Sequence, residues 1–254
     1  MTVSVELDDW DRHWQEYASS AEDNPAQMMR RRLIVRLLGL SGAGDRVLDV
    51  GSGQGDLLRE LQRMYPAAEL CGLEYSQAGV EISSRKVPSA TFVQCDLLQR
   101  SDPPINLASW ATHAVCSEVL EHVEDPGRLL VNARAFMRDG CRLVVTVPGG
   151  PMSAFDRHIG HRRHFGPASL RALMAKSGFT VELSRGFGFP FFNLYRLIVV
   201  GRGERLVRDV AQNAGGSSSR LARDLMRVFG ALFRLNTDVV RAGWQIIAVA
   251  RASR

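Results

Sequence analysis

The sequence predicts an α/β protein in which helices cover both faces of a largely parallel sheet. Short apolar strand patterns alternate with helical patterns through the middle of the chain. The first clear strand, 46–50, runs through three alternate glycines directly into a helical pattern. A chain of 254 residues with 45% hydrophobic content can bury one full core. These observations favour a single α/β core with additions at its ends.

A helical region precedes the sheet. Residues 8–38 have a helical pattern that divides at Asn24-Pro25, and Trp10, Trp14 and Tyr17 share one helical face. This aromatic stripe fits either ordinary packing or a helix that caps a ligand site.

The predicted strands and helices of the core mostly alternate along the chain. We predict strands at 46–50, 69–74, 91–95, 113–117, 141–147, 179–185 and 244–250. We predict helices near 56–65, 76–86, 126–138 and 167–177. Pro66 and Pro88 end helices, and Asp125-Pro126 begins one.

The connection between the last two strands, 186–240, is much longer than an ordinary connection. It predicts a helix over 192–212, a flexible run over 213–219, and an amphipathic helix over 220–235. The apolar face of that last helix comprises Leu221, Leu225, Val228, Phe229 and Leu232, and most of the other face comprises Arg220, Arg223, Arg227 and Arg234. This insertion can form a lid, lie on a membrane surface or mediate a dimer.

The net charge of +5 argues weakly for a nucleic-acid partner. Of the 32 basic residues 30 are arginine, which indicates base composition rather than selection for phosphate contacts. The excess charge is also local, because residues 185–234 contain nine arginines against three acids. We therefore expect a small-molecule partner rather than nucleic acid.

Composition also bears on compartment. No apolar run approaches the length of a membrane span, and the acidic N-terminus lacks the apolar core of a signal peptide. We expect a cytoplasmic protein, with peripheral contact to the inner membrane face through 186–235 as an alternative. The four cysteines fall in or beside predicted strands without metal-site spacing and are expected to be small buried hydrophobes: Cys71, Cys95, Cys116 and Cys141.

The glycine turn after the first strand separates two ligand classes. A dinucleotide site requires a glycine where this chain has Asp56, and an acid there would repel a pyrophosphate. The spacing Asp49-x-Gly51-x-Gly53-x-Gly55 instead resembles motif I of the class I S-adenosylmethionine-dependent methyltransferases. Their cofactor has no phosphate and carries positive charges, which nearby acids favour.

A second motif narrows the resemblance. The run from Ala114 to Pro126 is similar to the motif after the fourth strand in the type 11/12 methyltransferases, which include the ubiquinone O-methyltransferases. The resemblance covers roughly 25–185 and 242–251. It implies a Rossmann-like seven-stranded sheet of order 3-2-1-4-5-7-6, with strand 7 antiparallel. We accordingly divide the chain into cap helices (1–40), a core (41–185 and 241–254) and a helical insertion (186–240).

The resemblance also implies cofactor contacts at the carboxyl ends of the strands. Glu74 would accept from the ribose hydroxyls, Asp96 and Leu97 would meet the adenine, and Asp49 would orient the methionine ammonium. The full predicted cofactor set is Asp49, Gly51, Gly53, Gly55, Glu74, Tyr75, Asp96, Leu97, Ser117 and Glu118.

Two kinds of catalytic group are candidates. The candidate general bases are His122, His158 and His161, because a histidine side chain can be neutral at physiological pH. A candidate set of divalent-metal ligands projects to one side of a helical turn and comprises Glu118, Glu121 and His122. The set resembles one with which some relatives bind a divalent metal ion. We do not favour the metal, because Glu-His at this place also serves packing in metal-free relatives.

The predicted function is methyl transfer from S-adenosylmethionine to a small, fairly apolar secondary metabolite that is quinone-, polyketide- or lipid-like. The alternatives are metal-assisted methylation of nucleic acid, including 2′-O-methylation, and cofactor binding without catalysis.

Overall fold

A mixed seven-stranded sheet runs through the computed structural model, which describes residues 10, 24–99, 102–212, 220–237 and 242–253. The strand order is 3-2-1-4-5-7-6, with only the seventh strand antiparallel to its neighbours. The predicted sheet is therefore confirmed. Its strands are β1 (Arg46–Val50), β2 (Glu69–Glu74), β3 (Thr91–Gln94), β4 (Ala111–Ser117), β5 (Met137–Pro148), β6 (Phe179–Phe187) and β7 (Gln245–Ala252).

Helices cover both faces of the sheet. They are α1 (Pro25–Leu38), α2 (Asp56–Met64), α3 (Gln77–Lys86), α4 (Pro126–Arg134), α5 (Ala154–His158), α6 (Pro167–Lys176), α7 (Phe191–Gln212) and α8 (Arg220–Leu232), followed by a 3₁₀ turn, Phe233–Leu235. Trp10 lies in a helix, whereas Trp14 and Tyr17 fall outside the described residues.

Alternation along the strands divides the core between the two faces. On one face, Leu48, Ala114 and Leu143 pack with α4 and α6 residues such as Leu130 and Leu170. On the other, Val47, Val115, Val144, Ile247 and Val249 pack with the apolar side of α1 and α2. The insertion contributes to this second cluster through Phe192, Phe229 and Phe233.

The predicted helix 126–138 ends too late by four residues. The structure ends α4 at Arg134 and starts β5 at Met137. The reason is a tertiary bond, since the Ala111 amide donates to the Phe136 carbonyl and begins the β4–β5 pairing there. Local helical periodicity does not contain this information.

Two features of the loops and insertion were not predicted. The short helix α5 begins with a capping box in which Ser153 and Asp156 exchange side-chain and backbone bonds. Helix α7 is interrupted at Gly203, where the backbone takes φ 46° and ψ −127°. None of the helices in the described part of the chain is both long and apolar enough to cross a membrane.

Candidate active site

A cavity of about 800 Å³ opens at the carboxyl ends of β1, β2 and β4, beneath α1 and α7. Ligands bind at this edge in parallel α/β sheets because the strand order reverses there. Nine of the ten predicted cofactor residues line the cavity or its turn directly: Asp49, Gly51, Gly53, Glu74, Tyr75, Asp96, Leu97, Ser117 and Glu118.

The glycine turn is shaped by close approach as well as by backbone conformation. Gly51, Gly53 and Gly55 all have positive φ, between 53° and 79°. A Cβ on Gly51 would stand 2.5 Å from a methyl of Val119, and one on Gly55 would stand 2.9 Å from Cβ of Ser83. Gly55 therefore supports the turn by helix packing rather than by touching the cavity.

Glu74 is built into this turn. Its carboxylate is almost fully buried and accepts from the Gly53 amide at 2.7 Å and the Ser76 amide at 3.0 Å. These bonds fix both oxygens, and a carboxylate can accept further bonds from a ligand. The role of Glu74 as the ribose acceptor stays a prediction.

Asp49 is buried beside Glu74 on the neighbouring strand. Burial, together with the nearby charge of Glu74, raises the pKa of Asp49 to about 7. Two acids in one buried place favour a cationic ligand, because its charge relieves their repulsion.

The opposite end of the cofactor region is less enclosed. Asp96 lies two residues beyond β3 rather than at its end, and its Oδ1 accepts from the Leu98 amide at 2.8 Å. Leu97 is buried, whereas the Tyr75 side chain is half exposed. A planar base could lie between these residues.

Asp56 is paired with basic side chains, which was not anticipated from the sequence. Its Oδ1 lies 2.7 Å from Nζ of Lys86, and Arg59 is also close at 3.7 Å. The carboxylate is thus already neutralised, so it would repel a pyrophosphate less than the sequence suggested. The acid pair Asp49 and Glu74 is the stronger observation.

Glu118 belongs to a polar network that joins α1 to the sheet. Its carboxylate pairs with Arg30 at 2.9 Å and accepts from Gln245 at 3.0 Å and Thr146 at 3.1 Å. Its backbone has φ 56°, which is unusual for a residue with a Cβ. Ser117 joins the network through Thr146, with 2.8 Å between the hydroxyl oxygens.

The predicted metal set does not assemble as expected. Glu118 is in the Arg30 network, whereas the structure brings Glu121, His122 and His161 together with one ligand atom each within 4.8 Å of the others. Glu121 is fully buried, and among the described residues neither of its carboxylate oxygens has a hydrogen-bond partner, although Nε2 of His122 lies 4.0 Å from Oε1. Burial, followed by the charge of Glu118, raises the pKa of Glu121 well above its ordinary value.

These three residues fit a divalent cation chemically. Two imidazoles and one carboxylate form a common ligand set, and a buried acid without a partner calls for a compensating charge or proton. Relative to the sequence prediction, His161 takes the place of Glu118.

The His161 ring lies in the cavity wall and is held by a histidine relay. Nδ1 of His161 is 3.2 Å from Nε2 of His164, and Nδ1 of His164 is 3.1 Å from the Gly150 carbonyl oxygen. A carbonyl only accepts, so His164 carries its proton on Nδ1 and accepts at Nε2 from His161. Neutral His161 is then left with Nε2 as its basic nitrogen.

The environment keeps His161 neutral. Burial lowers the pKa of His161 to about 4, although the nearby carboxylate of Asp156 acts in the opposite direction. The ring also meets His122 edge to face, with centroids 4.7 Å apart, and His122 meets Trp10 in the same way at 4.8 Å.

Arginines hold the histidine loop in place. Nε of Arg162 donates to the His122 carbonyl at 2.7 Å, and Arg163 donates to the Glu124 carbonyl at 3.0 Å. The Arg162 amide donates to the Glu121 carbonyl at 2.8 Å. The loop after β5 is thereby fastened to the turn after β4.

Asp156 connects this loop to the insertion. Its buried carboxylate forms a two-bond pair with Arg196 at 2.8 and 3.0 Å and accepts from Ser153. Burial alone would raise the pKa of Asp156, but Arg196 and Ser153 outweigh it and lower the pKa to about 2. Arg196 was visible in the sequence as one charge inside an apolar helical run.

The third candidate base lies elsewhere. His158 is exposed at the end of α5 and does not line the cavity. The structure therefore separates it from His122 and His161.

Sequence reasoning did not single out several residues that shape the site. Arg30 and Gln245 hold Glu118, and His164 holds His161. His164 was visible only as the third histidine of the loop. Arg30 and Gln245 gave no local signal, because their partners are far away in the chain.

Comparison with known families decides among the ligand classes. Residues 17–184 match the profile of a family described as "Methyltransferase domain". The chain belongs to this methyltransferase family. The predicted class I methyltransferase is confirmed, and S-adenosylmethionine is the methyl donor of this class. The ubiquinone-like subgroup stays a prediction.

Individual relatives of this methyltransferase match only in part. Trans-aconitate 2-methyltransferase from Yersinia pestis is 36% identical over 62 residues, which is 24% of this chain and 24% of that enzyme. The chain aligns with 24% to 30% of the length of the first curated relatives it matches.

Solved structures support the fold over almost the whole chain. A Haloferax volcanii chain described as a methyltransferase, in complex with the Trm112 activator, has a TM-score of 0.64 at 16% identity and covers 98% of this chain and 99% of its own. Phosphoethanolamine N-methyltransferase 2 from Haemonchus contortus, in complex with S-adenosylmethionine, has a TM-score of 0.62 at 16% identity and covers 96% and 57%. At this identity the likeness concerns the fold alone.

Proposed function

We propose that this methyltransferase carries a methyl group from S-adenosylmethionine to a hydroxyl oxygen of a small, largely apolar acceptor. The observation that carries the proposal is the neutral His161 ring in the wall of the cavity, with its tautomer set by His164. The cavity volume, about 800 Å³, suits a cofactor together with a small acceptor.

The cofactor would lie over the glycine turn. Glu74 would accept from the ribose hydroxyls, Asp49 would attract the methionine ammonium, and Asp96 and Leu97 would meet the adenine. The acidic pair of Asp49 and Glu74 supports this direction, because it places negative charge near the cationic end of the cofactor.

The acceptor would occupy the other half of the cavity, between α1, α5 and α7. Aromatic rings dominate this wall: Trp10, Phe155, Phe192, Tyr195 and Trp244. The four arginines that line the cavity have carboxylate partners, with Arg30 on Glu118, Arg31 on Glu60, Arg162 on Glu124 and Arg196 on Asp156. This wall therefore favours planar or isoprenoid acceptors over strongly anionic ones.

The reaction needs alignment and one proton transfer. Bound S-adenosylmethionine would supply an electrophilic methyl group, which the acceptor oxygen would take as the bond from carbon to sulfur breaks. Nε2 of His161 would accept the hydroxyl proton. Walls of aromatic side chains hold the two reactants in line and exclude water.

The test compares His161→Gln with His158→Gln. Each variant is incubated with methyl-labelled cofactor and a panel of phenols, catechols and isoprenoid alcohols, and labelled products are quantified. We expect His161→Gln to reduce transfer about 10²- to 10⁴-fold, the usual range for a general base. His158→Gln should act like wild type, because its side chain lies outside the cavity. Equal rates in the two variants would remove His161 from the reaction.

The proposed position of the cofactor is tested separately, by calorimetric measurement of S-adenosylhomocysteine binding. Glu74→Gln should weaken binding about 10- to 100-fold, the typical loss for hydrogen bonds to a charged group. Glu69→Gln is the control, since Glu69 is an exposed residue at the other end of the same strand. Wild-type affinity in Glu74→Gln would contradict the assigned cofactor position.

A second candidate mechanism is metal-assisted methyl transfer. The observation that favours it is that the oxygens of buried Glu121 have no hydrogen-bond partner among the residues that the structure describes. Glu121, His122 and His161 would hold the cation. A bound divalent cation would supply Lewis-acid polarisation of an acceptor oxygen. In this arrangement His161 would be a ligand and not the base, so the two mechanisms exclude one another.

Metal binding is measured directly with Mn²⁺ and Mg²⁺ by calorimetry and by thermal unfolding. Under the metal mechanism Glu121→Gln removes binding and the accompanying rise in Tm, whereas Glu124→Gln, at an exposed acid of the same turn, keeps both. Absence of Mn²⁺ or Mg²⁺ binding to the wild-type protein would leave the metal-free mechanism.

A further inference from the structure

The outer face of α7 exposes a group of aliphatic side chains. Leu194, Leu197 and Ile198 lie at i, i+3 and i+4 on one side of the helix, and their exposed fractions are 48%, 52% and 39%. Elsewhere in the insertion, Phe189 and Leu235 are further large apolar side chains that are exposed. Aliphatic side chains grouped in this way mark an interaction surface rather than ordinary solvent exposure.

This face lies directly outside the candidate active site. The inner side of α7 contributes Phe192, Tyr195 and Arg196 to the cavity wall. Arg196 also fastens the helix to the histidine loop through Asp156. Helix α7 is thus a single wall between the cavity and the exposed apolar face.

The positive charge of the segment 185–234 indicates which kind of partner this surface binds. Residues 185–234 contain nine arginines and three acids, and the described side chains of Arg185, Arg227 and Arg234 are exposed. Two copies of this segment would repel one another. A nucleic acid would meet the arginines but offers no apolar phase for Leu194, Leu197 and Ile198. A bilayer with anionic headgroups offers negative charge to the arginines and an apolar phase to the aliphatic side chains.

We propose that the outer face of α7, which belongs to the arginine-rich segment 185–234, docks this methyltransferase onto the surface of an anionic lipid bilayer. The aliphatic side chains enter the boundary between headgroups and acyl chains, and the arginines meet anionic headgroups. The helix lies on the membrane without crossing it. Docking there brings the aromatic half of the cavity next to the lipid phase, from which an apolar acceptor can enter.

The test is co-sedimentation of the full chain with vesicles. We expect binding to vesicles of phosphatidylcholine mixed with phosphatidylglycerol and little binding to phosphatidylcholine alone. Leu197→Asp should reduce the bound fraction about tenfold, since it replaces an aliphatic group that enters the lipid with a charge. Ile105→Asp is the matched control, because Ile105 is 97% exposed and lies outside this segment.

Folding and alternative partners are measured on the same samples. Both variants should bind S-adenosylhomocysteine like wild type, since neither side chain lines the cavity. Equal vesicle binding by Leu197→Asp and Ile105→Asp, or no preference for anionic vesicles, would overturn the proposal. So would salt-sensitive binding to a mixed RNA pool without vesicle binding, or self-association in sedimentation velocity that Leu197→Asp abolishes.

Discussion

Asp49 shows how one buried side chain can make ligand binding depend on pH. It shares a buried place with Glu74, and burial first and Glu74 second hold its pKa at about 7. Near neutral pH the unliganded protein therefore carries this carboxyl partly protonated. A ligand ammonium near Asp49 would favour the ionised form.

We predict that affinity for S-adenosylhomocysteine rises as pH increases through 7. Below the pKa the protein must lose a proton to bind, so affinity should fall by up to about tenfold per pH unit. Calorimetry across this range measures the effect, and Asp49→Asn should bind weakly with a flat profile. A flat profile in the wild-type protein would contradict the role of Asp49.

The same shift has the opposite sign for the unliganded fold. The folded pKa lies above the ordinary value of 3.8, so the folded protein binds this proton more tightly than the unfolded chain. Its contribution to stability is fully present below about pH 3.8 and is lost as pH rises through about 7.

A comparison of Gly51 with Gly44 distinguishes the effect of steric contact at a glycine from the effect of its left-handed backbone conformation. Its φ is 75°, similar to the 79° of Gly44, but a Cβ at Gly51 meets Val119 at 2.5 Å while one at Gly44 meets nothing within 4 Å. The pair therefore differs mainly in the available space.

We predict that Gly44→Ala lowers the free energy of unfolding by about 1–2 kcal/mol, the cost of left-handed backbone for an L-residue. Gly51→Ala should cost more, because Val119 must also move, and it should weaken S-adenosylhomocysteine binding where Gly44→Ala does not. Urea unfolding and calorimetry measure the two quantities. Equal losses in both variants would show that the contact with Val119 is unimportant.

The contact between α5 and α7 includes one buried ion pair. Asp156 is 1% exposed and Arg196 13%, and the two bonds between them join the histidine loop to the insertion. A pair of the same residue types, Arg227 with Asp224, is exposed on α8. The chain thus contains its own comparison.

We predict that Arg196→Leu lowers the free energy of unfolding by about 3–5 kcal/mol, because it leaves the buried Asp156 charge uncompensated. Arg227→Leu should change it by less than about 1 kcal/mol, since that pair is in solvent. Urea unfolding near neutral pH measures both. A small effect at Arg196 would mean that the remaining neighbours of Asp156, which include Ser153, His161 and His164, are sufficient to compensate its charge.

Acid should weaken the same contact. The folded pKa of Asp156, about 2, lies below the ordinary 3.8, so its contribution to stability is complete above about pH 4. That contribution is lost as pH falls through about 2.

The insertion is part of the main core. Phe229 and Phe233 pack with Tyr195 and Phe192 in an aromatic group, and the same cluster includes α1 and the sheet. The division of the chain into cap, core and insertion is a useful description of sequence order. We propose that the three unfold together.

We predict that Phe229→Ala lowers the free energy of unfolding of the entire protein by about 3–5 kcal/mol while unfolding stays a single transition. The neighbour Val228 is 54% exposed, and Val228→Ala should have an effect within about 0.5 kcal/mol. Urea unfolding followed by both fluorescence and circular dichroism measures this. Two separate transitions would show that the insertion folds apart from the sheet.

Short-range patterns were sufficient for most of the architecture. The apolar alternation, the prolines and the glycine turn act within a few residues, so the order of elements and the place of the cavity could be predicted, and the family resemblance supplied the strand order. Helix α4 was predicted too long because a distant strand, through Ala111, decides where β5 begins.

The chemistry of the site depends on longer contacts. The glycines, Asp49, Glu74 and the histidine loop could be named from the sequence because each lies in a local motif. Which of them act together could not, because Glu118 is held by Arg30 and Gln245 from opposite ends of the chain while Glu121 meets His161 from another loop. Burial then sets the charges of Asp49, Glu121 and His161, and burial is a property of the packed structure alone.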